Sequence, residues 1–380
     1  MLASLGALWT EITSLFMSFI LLFGTTVGIF SPAKTTDSEK YFDENIKNVI
    51  YLIGDGMGSN HLAKTKQENK VSLVMDTFDF KGSSMTRSLS SAVTDSAAGG
   101  TALATGERTI NGAIGVYMDD PLSVFSYPKN ITEICMERGM MTGVITTDET
   151  SGATPASFSA HSSDRGNTED ITNDQLTSGF DIIWGTANGV ATKVDAEANG
   201  FTYVTTYDQM MALPEGSRSF AQFTNNLWTL EQSDAQTPNL EQMAGKAIDL
   251  LDDTDEGFFL MIEGAHIDKH SHGNDDESMT ESVREFDRTV QLALEYAKAD
   301  GETLVVVTAD HETGAIVKNA DGTYSFTSGS HSSANVPVLV YGSDKLIHGG
   351  ETLNNYEIPI RIAYILGFNE DQFPYEVIVA

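Results

Sequence analysis

The chain has 380 residues, 41% hydrophobic and 20% charged, which excludes disorder, collagen-like repeats and a disulfide-stapled miniprotein and leaves enough apolar material for a large core. Against 22 basic residues stand 54 acidic ones, a formal net charge of -32 that repels phosphate backbones and argues against a stable nucleic-acid complex. The acidic excess is spread along the chain without block runs, the pattern of a solvated folded surface.

In chain order, the first feature is the stretch from Ile12 to Ala33, uncharged and rich in Leu, Phe and Ile. It reads as an export signal or a membrane anchor, so residues 1–33 are set apart from a single folded unit over 41–380, and the protein is expected to be exported, periplasmic or secreted, or tethered by this segment. Next come short runs that are apolar on both alternating faces: Asn48 to Gly54, Met141 to Thr147, Gly257 to Glu263, Thr303 to Thr308 and Val336 to Tyr341. That pattern predicts parallel strands covered by helices on both sides. Helical signals fall between them at Ile131 to Arg138, Leu240 to Leu251 and Glu277 to Ala299. Right-handed crossovers then give a three-layer α/β/α sandwich around a mostly parallel sheet, which Phe201 to Thr206 and Ser219 to Phe223 extend. Cys135, the only cysteine, falls on the buried face of a helix and reads as structural.

The strand ends carry the chemistry, because ligands of open α/β sheets sit beyond the carboxyl ends of the strands. The first strand runs into Asp55, the Gly257 strand into Glu263, Asp268 and His272, and the Thr303 strand into Asp310 and His311. Singly, each has an ordinary reading as turn, ion-pair member or helix cap. Jointly they are harder to dismiss, since His266, His270, His272, His311 and His331 are five of the eight histidines and cluster late in the chain. Asp268 and His272 are four apart, so one helical turn aims both at a common ion. Nitrogen with carboxylate donors suits Zn²⁺, and an all-oxygen set suits Mg²⁺. His266, His270 and His348 lack matching spacing and read as surface or supporting groups. Thr94-Asp95-Ser96 precedes a small-residue helix, and a serine at a helix N-terminus faces an anion site. Its alternative is plain N-capping. Farther on, Thr154 offers a hydroxyl ligand and Arg165 a planar fork for two phosphate oxygens.

In this order D-G-M-G, T-D-S-A-A, A-T-P-A-S, A-H-x-x-x-R, E-G-A-x-I-D-x-x-x-H, T-A-D-H-E-T-G and G-S-H span residues 46 to about 368, and the chain resembles the alkaline phosphatase family. The resemblance implies hydrolysis of phosphate monoesters at alkaline pH through a phosphoserine on Ser96, with two Zn²⁺ and one Mg²⁺. It implies that Asp268, His272 and His331 hold one zinc, that Asp55, Asp310, His311 and the Ser96 oxygen hold the other, and that Asp55, Thr154 and Glu263 hold the magnesium. Arg165 then grips the phosphate, Lys269 either approaches it through water or is simply solvated, and a homodimer is the usual assembly. Two departures stand out. Gly152 occupies a position where relatives often carry Asp or His near the magnesium, and the short interval from His311 to His331 leaves little chain for a crown over the site, predicting a more open pocket. Related diesterases typically use a threonine nucleophile without this arginine arrangement, so Ser96 and Arg165 favour a monoester. A non-catalytic acidic protein that merely binds divalent cations would leave both residues unused.

Overall fold

Seven consecutive buried residues, Asn48–Gly54, form the central strand, and the alternation of their side chains sets the layering. In the computed structural model, which describes residues 37–120, 126–223, 236–252 and 254–374, Ile50 and Leu52 enter one apolar core while Val49, Tyr51 and Ile53 enter another on the opposite face. Helices Leu240–Leu251 and Asp276–Asp300 pack into the first core. Helices Ser96–Thr105, Ile131–Glu137 and Glu357–Ile365 pack into the second. The result is the expected α/β/α sandwich.

The ten-stranded sheet runs, edge to edge, through Thr352–Asn354, Phe80–Met85, Val336–Tyr341, Thr303–Thr308, Asn48–Gly54, Phe258–Gly264, Met141–Glu149, Ile182–Thr186, Ser219–Phe223 and Thr202–Val204. The strands at 202–204 and 219–223 extend this sheet as expected. One expectation is corrected: Val336–Tyr341 runs antiparallel to both of its neighbours. No crossover helix lies between Thr308 and Val336, so the returning strand lies down antiparallel beside the one it left. A strand covered on both faces is apolar throughout in either direction, and its pattern carries no sign of polarity. Phe80–Met85 and Thr352–Asn354 escape the apolar pattern because they lie at one edge of the sheet, where Lys81, Ser83 and Thr352 face water.

The chain between His311 and His331 is short and tied down. Glu312–Thr313 pairs with His331–Ser332, and a second two-stranded hairpin joins Val317–Lys318 to Tyr324–Ser325. Helix Ser59–Asn69 holds this segment: Asn60 donates to the Ile316 carbonyl at 2.6 Å, the buried Lys64 to that of Tyr324 at 3.0 Å, and Gln67 to that of Gly322 at 3.1 Å. No long lid forms here, in line with the short interval. Residues 1–33, read as an export signal or anchor, lie outside the described residues. Among the described residues no helix is long and apolar enough to cross a membrane.

Cys135 lies buried in helix Ile131–Glu137, where burial pushes its thiol up to about 12. The folded protein is therefore expected to resist an aromatic disulfide reagent at pH 8 and to react with one equivalent once unfolded in guanidinium. Stoichiometric labelling of the native protein at the unfolded rate would contradict this placement.

Candidate active site

Three neighbouring parallel strands deliver their acids to one end of the sheet. Asp55 follows Asn48–Gly54 directly, Glu263 closes Phe258–Gly264, and Asp310 and His311 follow Thr303–Thr308. Helix His266–His272 brings Asp268 and His272 onto one turn. Gly56 permits the close approach: its φ is +71°, and a β-carbon there would stand 2.9 Å from the Asp268 backbone.

Asp268, His272 and His331 form the first donor cluster. His272 Nε2 lies 3.3 Å from Asp268 Oδ2, and His331 Nε2 lies 3.6 Å from Asp268 Oδ1. The two Nε2 atoms are 3.2 Å apart. His272 Nδ1 faces the Gly329 carbonyl at 2.8 Å and His331 Nδ1 faces the Thr94 carbonyl at 2.9 Å. Carbonyls only accept, so each neutral ring carries its hydrogen on Nδ1 and turns its Nε2 lone pair inward. Two such lone pairs beside a carboxylate call for a cation. A proton on Nε2 answers the same need: donated to the Asp268 carboxylate, it holds His272 up at about 9. Burial pushes Asp268 upward, but its bonds with His272 and Thr313 and the nearby His311 outweigh this and hold it below the ordinary carboxylate range. His331 is held down by burial and by His311.

The second cluster, Asp55, Asp310 and His311, is entirely buried. His311 Nε2 lies 3.4 Å from Asp55 Oδ1, 3.3 Å from Asp310 Oδ2 and 3.1 Å from Ser96 Oγ. The backbone N–H groups of Gly56 and His311 both donate to Asp310 Oδ1, leaving its Oδ2 without a hydrogen bond, and Asp55 Oδ1 also has none. The Thr313 hydroxyl donates to Asp268 and accepts from His311 Nδ1 at 3.2 Å, so the Nε2 lone pair of His311 again faces the acids. The rings of His311 and His331 stack with centroids 3.6 Å apart, which sets the two clusters side by side. Burial, and then the charges of Asp310, Asp268, Glu263 and Asp148, push Asp55 well above the carboxylate range. These unpartnered donors, nitrogen with carboxylate, fit divalent metal ions.

Two further oxygen donors, Thr154 and Glu263, are buried as well. Thr154, in helix Ala153–Ser157, keeps a buried hydroxyl without a partner. Glu263 is buried, accepts from the Thr146 hydroxyl, and is pushed up to about 8 by burial and by Asp148.

Ser96 is the first residue of helix Ser96–Thr105, and Asp95 is its N-cap, accepting from the Ala98 N–H at 3.0 Å. The other Asp95 oxygen accepts from the Gly112 N–H at 3.0 Å and from Arg165 Nη1 at 3.1 Å. The serine and its cap are thus separate residues, and Arg165, 43% exposed, stands tethered beside them. Lys269 forms an ion pair with Asp148. Of the other histidines, His348 falls on the surface as expected, while His266 is buried and pushed down to about 3 by burial. Asp148, Thr313 and Thr146 escaped the sequence reading. Asp148 was within reach, since the strand starting at Met141 runs two residues beyond Thr147, to Glu149.

Comparison with known proteins agrees with this geometry. The alkaline phosphatase family profile matches residues 46–195 and 185–341. Alkaline phosphatase 4 of Bacillus subtilis (strain 168) is 33% identical over 324 residues, covering 78% of this chain and 69% of that protein. The alkaline phosphatase of Escherichia coli (strain K12) is 30% identical over 337 residues, covering 71% and 70%. The structure of alkaline phosphatase from the Antarctic bacterium TAB5 superposes with a TM-score of 0.75 at 32% identity, covering 86% of this chain and 99% of that one. With the ordered motifs gathered at one end of the expected sheet and the family profile spanning most of the chain, this protein belongs to the alkaline phosphatase family.

Proposed function

We propose that the protein hydrolyses phosphate monoesters through a phosphoserine on Ser96, assisted by two Zn²⁺ and one Mg²⁺. The observation that carries this reading is Ser96 Oγ at a helix N-terminus, 3.1 Å from His311 Nε2 and next to the cap that holds Arg165. Asp268, His272 and His331 would hold one zinc, Asp55, Asp310 and His311 the other, and Asp55, Thr154 and Glu263 the magnesium. A variant of the TAB5 enzyme, 32% identical with a TM-score of 0.72, carries Mg in its M3 site, which supports the third. Bound there, such ions acidify a hydroxyl or water and neutralise developing oxyanions.

The protein's own groups then account for the rest. Ser96 Oγ forms the bond to phosphorus as the bond to the leaving alcohol oxygen breaks, and water later cleaves the phosphoserine, restoring the hydroxyl and releasing phosphate. The unpaired N–H groups of the first helical turn favour the anion. Arg165 spends one Nη1 on Asp95, which aims the fork while leaving its other donors for phosphate oxygens. Asp95 caps the serine's helix and anchors the arginine at once, so nucleophile and anion clamp move as one piece.

Metal-loaded protein is expected to hydrolyse p-nitrophenyl phosphate in strong preference to bis-p-nitrophenyl phosphate, and Ser96→Ala to lose on the order of a thousandfold in kcat. Preference for the diester would move the chain to a sibling activity, and Ser96→Ala with full activity would leave a cation-binding protein. Arg165→Ala should cost about 2–3 kcal/mol in kcat/KM and weaken inhibition by phosphate, the loss of one charge-assisted clamp.

Metal removal gives a pH signature. Glu263 stands at about 8 in the fold against 4.5 free, and His272 at about 9 against 6.5. Both bind protons more tightly folded than unfolded, so each contributes stability below its free value that is lost as pH rises through its folded value. His61 and His266, held down at about 4 and about 3 by burial, act in the opposite sense only below the free histidine value of 6.5. Chelated protein should therefore melt at steadily lower temperature between pH 6.5 and about 9, and added Zn²⁺ and Mg²⁺ should restore most at the alkaline end. A flat melting profile for the chelated protein across that range would refute the assignment.

A further inference from the structure

Asp148 is absent from the motifs that carry the family resemblance, yet the fold aims it into the site. Between Ile145 and Glu149 the register against Ile182–Thr186 slips: Ile145 pairs with Trp184 and Glu149 with Thr186, so four steps on one strand oppose two on the other. An irregularity of this kind turns a side chain out of the pleat, and the Asp148 N–H is caught on Thr146 Oγ1 at 2.8 Å. The freed carboxylate reaches Lys269, one residue beyond Asp268 on the helix that carries the first donor cluster.

The space it occupies belongs to Gly152. A β-carbon on Gly152 would stand 2.7 Å from Asp148 Oδ2, and the φ of Gly152 is -54°, which any residue adopts. A side chain at 152 would therefore compete with the Asp148 carboxylate for this space and have to displace it. Lys269 is a point charge on a flexible four-carbon stem, partly exposed at the open side of the site. Left unpaired, its ammonium is free to spread over many rotamers or to turn onto the neighbouring acids. Paired with Asp148, it stands in one place.

We infer that Asp148 is a positioning residue that holds Lys269 as a second cationic contact for the phosphate dianion, in addition to the clamp formed by Arg165, and that the absence of a side chain at Gly152 leaves it the room to do so. This rests on the phosphomonoesterase reading. A negative charge supplied from the strand end thereby takes the place of a side chain at 152.

The test is a double-mutant cycle read by calorimetric titration of metal-loaded protein with inorganic phosphate, alongside kcat and KM for p-nitrophenyl phosphate. Asp148→Ala is expected to weaken phosphate binding about tenfold and to raise KM more than it lowers kcat, in the range of one charge-assisted contact. Lys269→Ala should weaken it by a similar factor, and the double variant by no more than about twofold beyond Lys269→Ala alone, because both act through one ammonium. Asp148→Asn, which keeps shape and an acceptor, should fall between wild type and Asp148→Ala, and it carries the test if the alanine variant fails to fold. Unchanged phosphate affinity in Asp148→Ala or Asp148→Asn, a loss in kcat alone, or losses that add in the double variant would overturn the inference while wild-type monoesterase activity stood. Absence of that activity in the wild type would instead sink the functional reading beneath it.

Discussion

Three buried carboxylates at the ends of adjacent parallel strands are the constraint on which this site turns. Asp55, Glu263 and Asp310 are all at least nine-tenths buried, and their charges push against one another. Water would relieve that repulsion, but burial between the sheet and its covering turns excludes it. The fold therefore concentrates negative charge and lone pairs where only a proton or a cation compensates them, and it does so with the parts best held in place, the ends of strands hydrogen-bonded on both sides. The raised proton affinity of Asp55 and Glu263 and the fit of the site to divalent metal have the same origin.

Around that core, supporting bonds decide which atom of each ligand faces inward. The carbonyls of Gly329 and Thr94 fix the rings of His272 and His331, and the hydroxyl of Thr313 joins His311 to Asp268 across the two clusters. None of these partners belongs to either donor cluster. Without them each imidazole would present either nitrogen, and ligand entropy would oppose binding. The stretch between His311 and His331 serves the same end, since its hairpin is tied to helix Ser59–Asn69 and returns the chain so that His331 stacks on His311.

Much of the fold was legible because burial on both faces leaves an apolar signature without regard to context. The strands at 48–54, 303–308 and 336–341 and the helix at 240–251 match the apolar runs residue for residue. What that signature does not encode is direction, hence the reversed strand at 336–341, or edges, hence the strands at 80–85 and 352–354, whose polar residues answer to water on one side.

For the site the division is similar. Chain-local chemistry and the family resemblance single out Asp55, Ser96, Thr154, Arg165, Glu263, Asp268, His272, Asp310, His311 and His331 as candidates, since each stands in a motif or at the end of a recognisable strand. Relations between distant segments are another matter. That Lys269 meets Asp148 rather than open solvent, that Asp148 fills the space above Gly152, and that Asp95 binds both the helix of Ser96 and Arg165 depend on a slipped register and on crossings between strands far apart in the chain. Residue type and spacing determine what a side chain is able to do; which neighbour it does it with is settled by packing, because contact energies act through space and a linear pattern records only distance along the backbone.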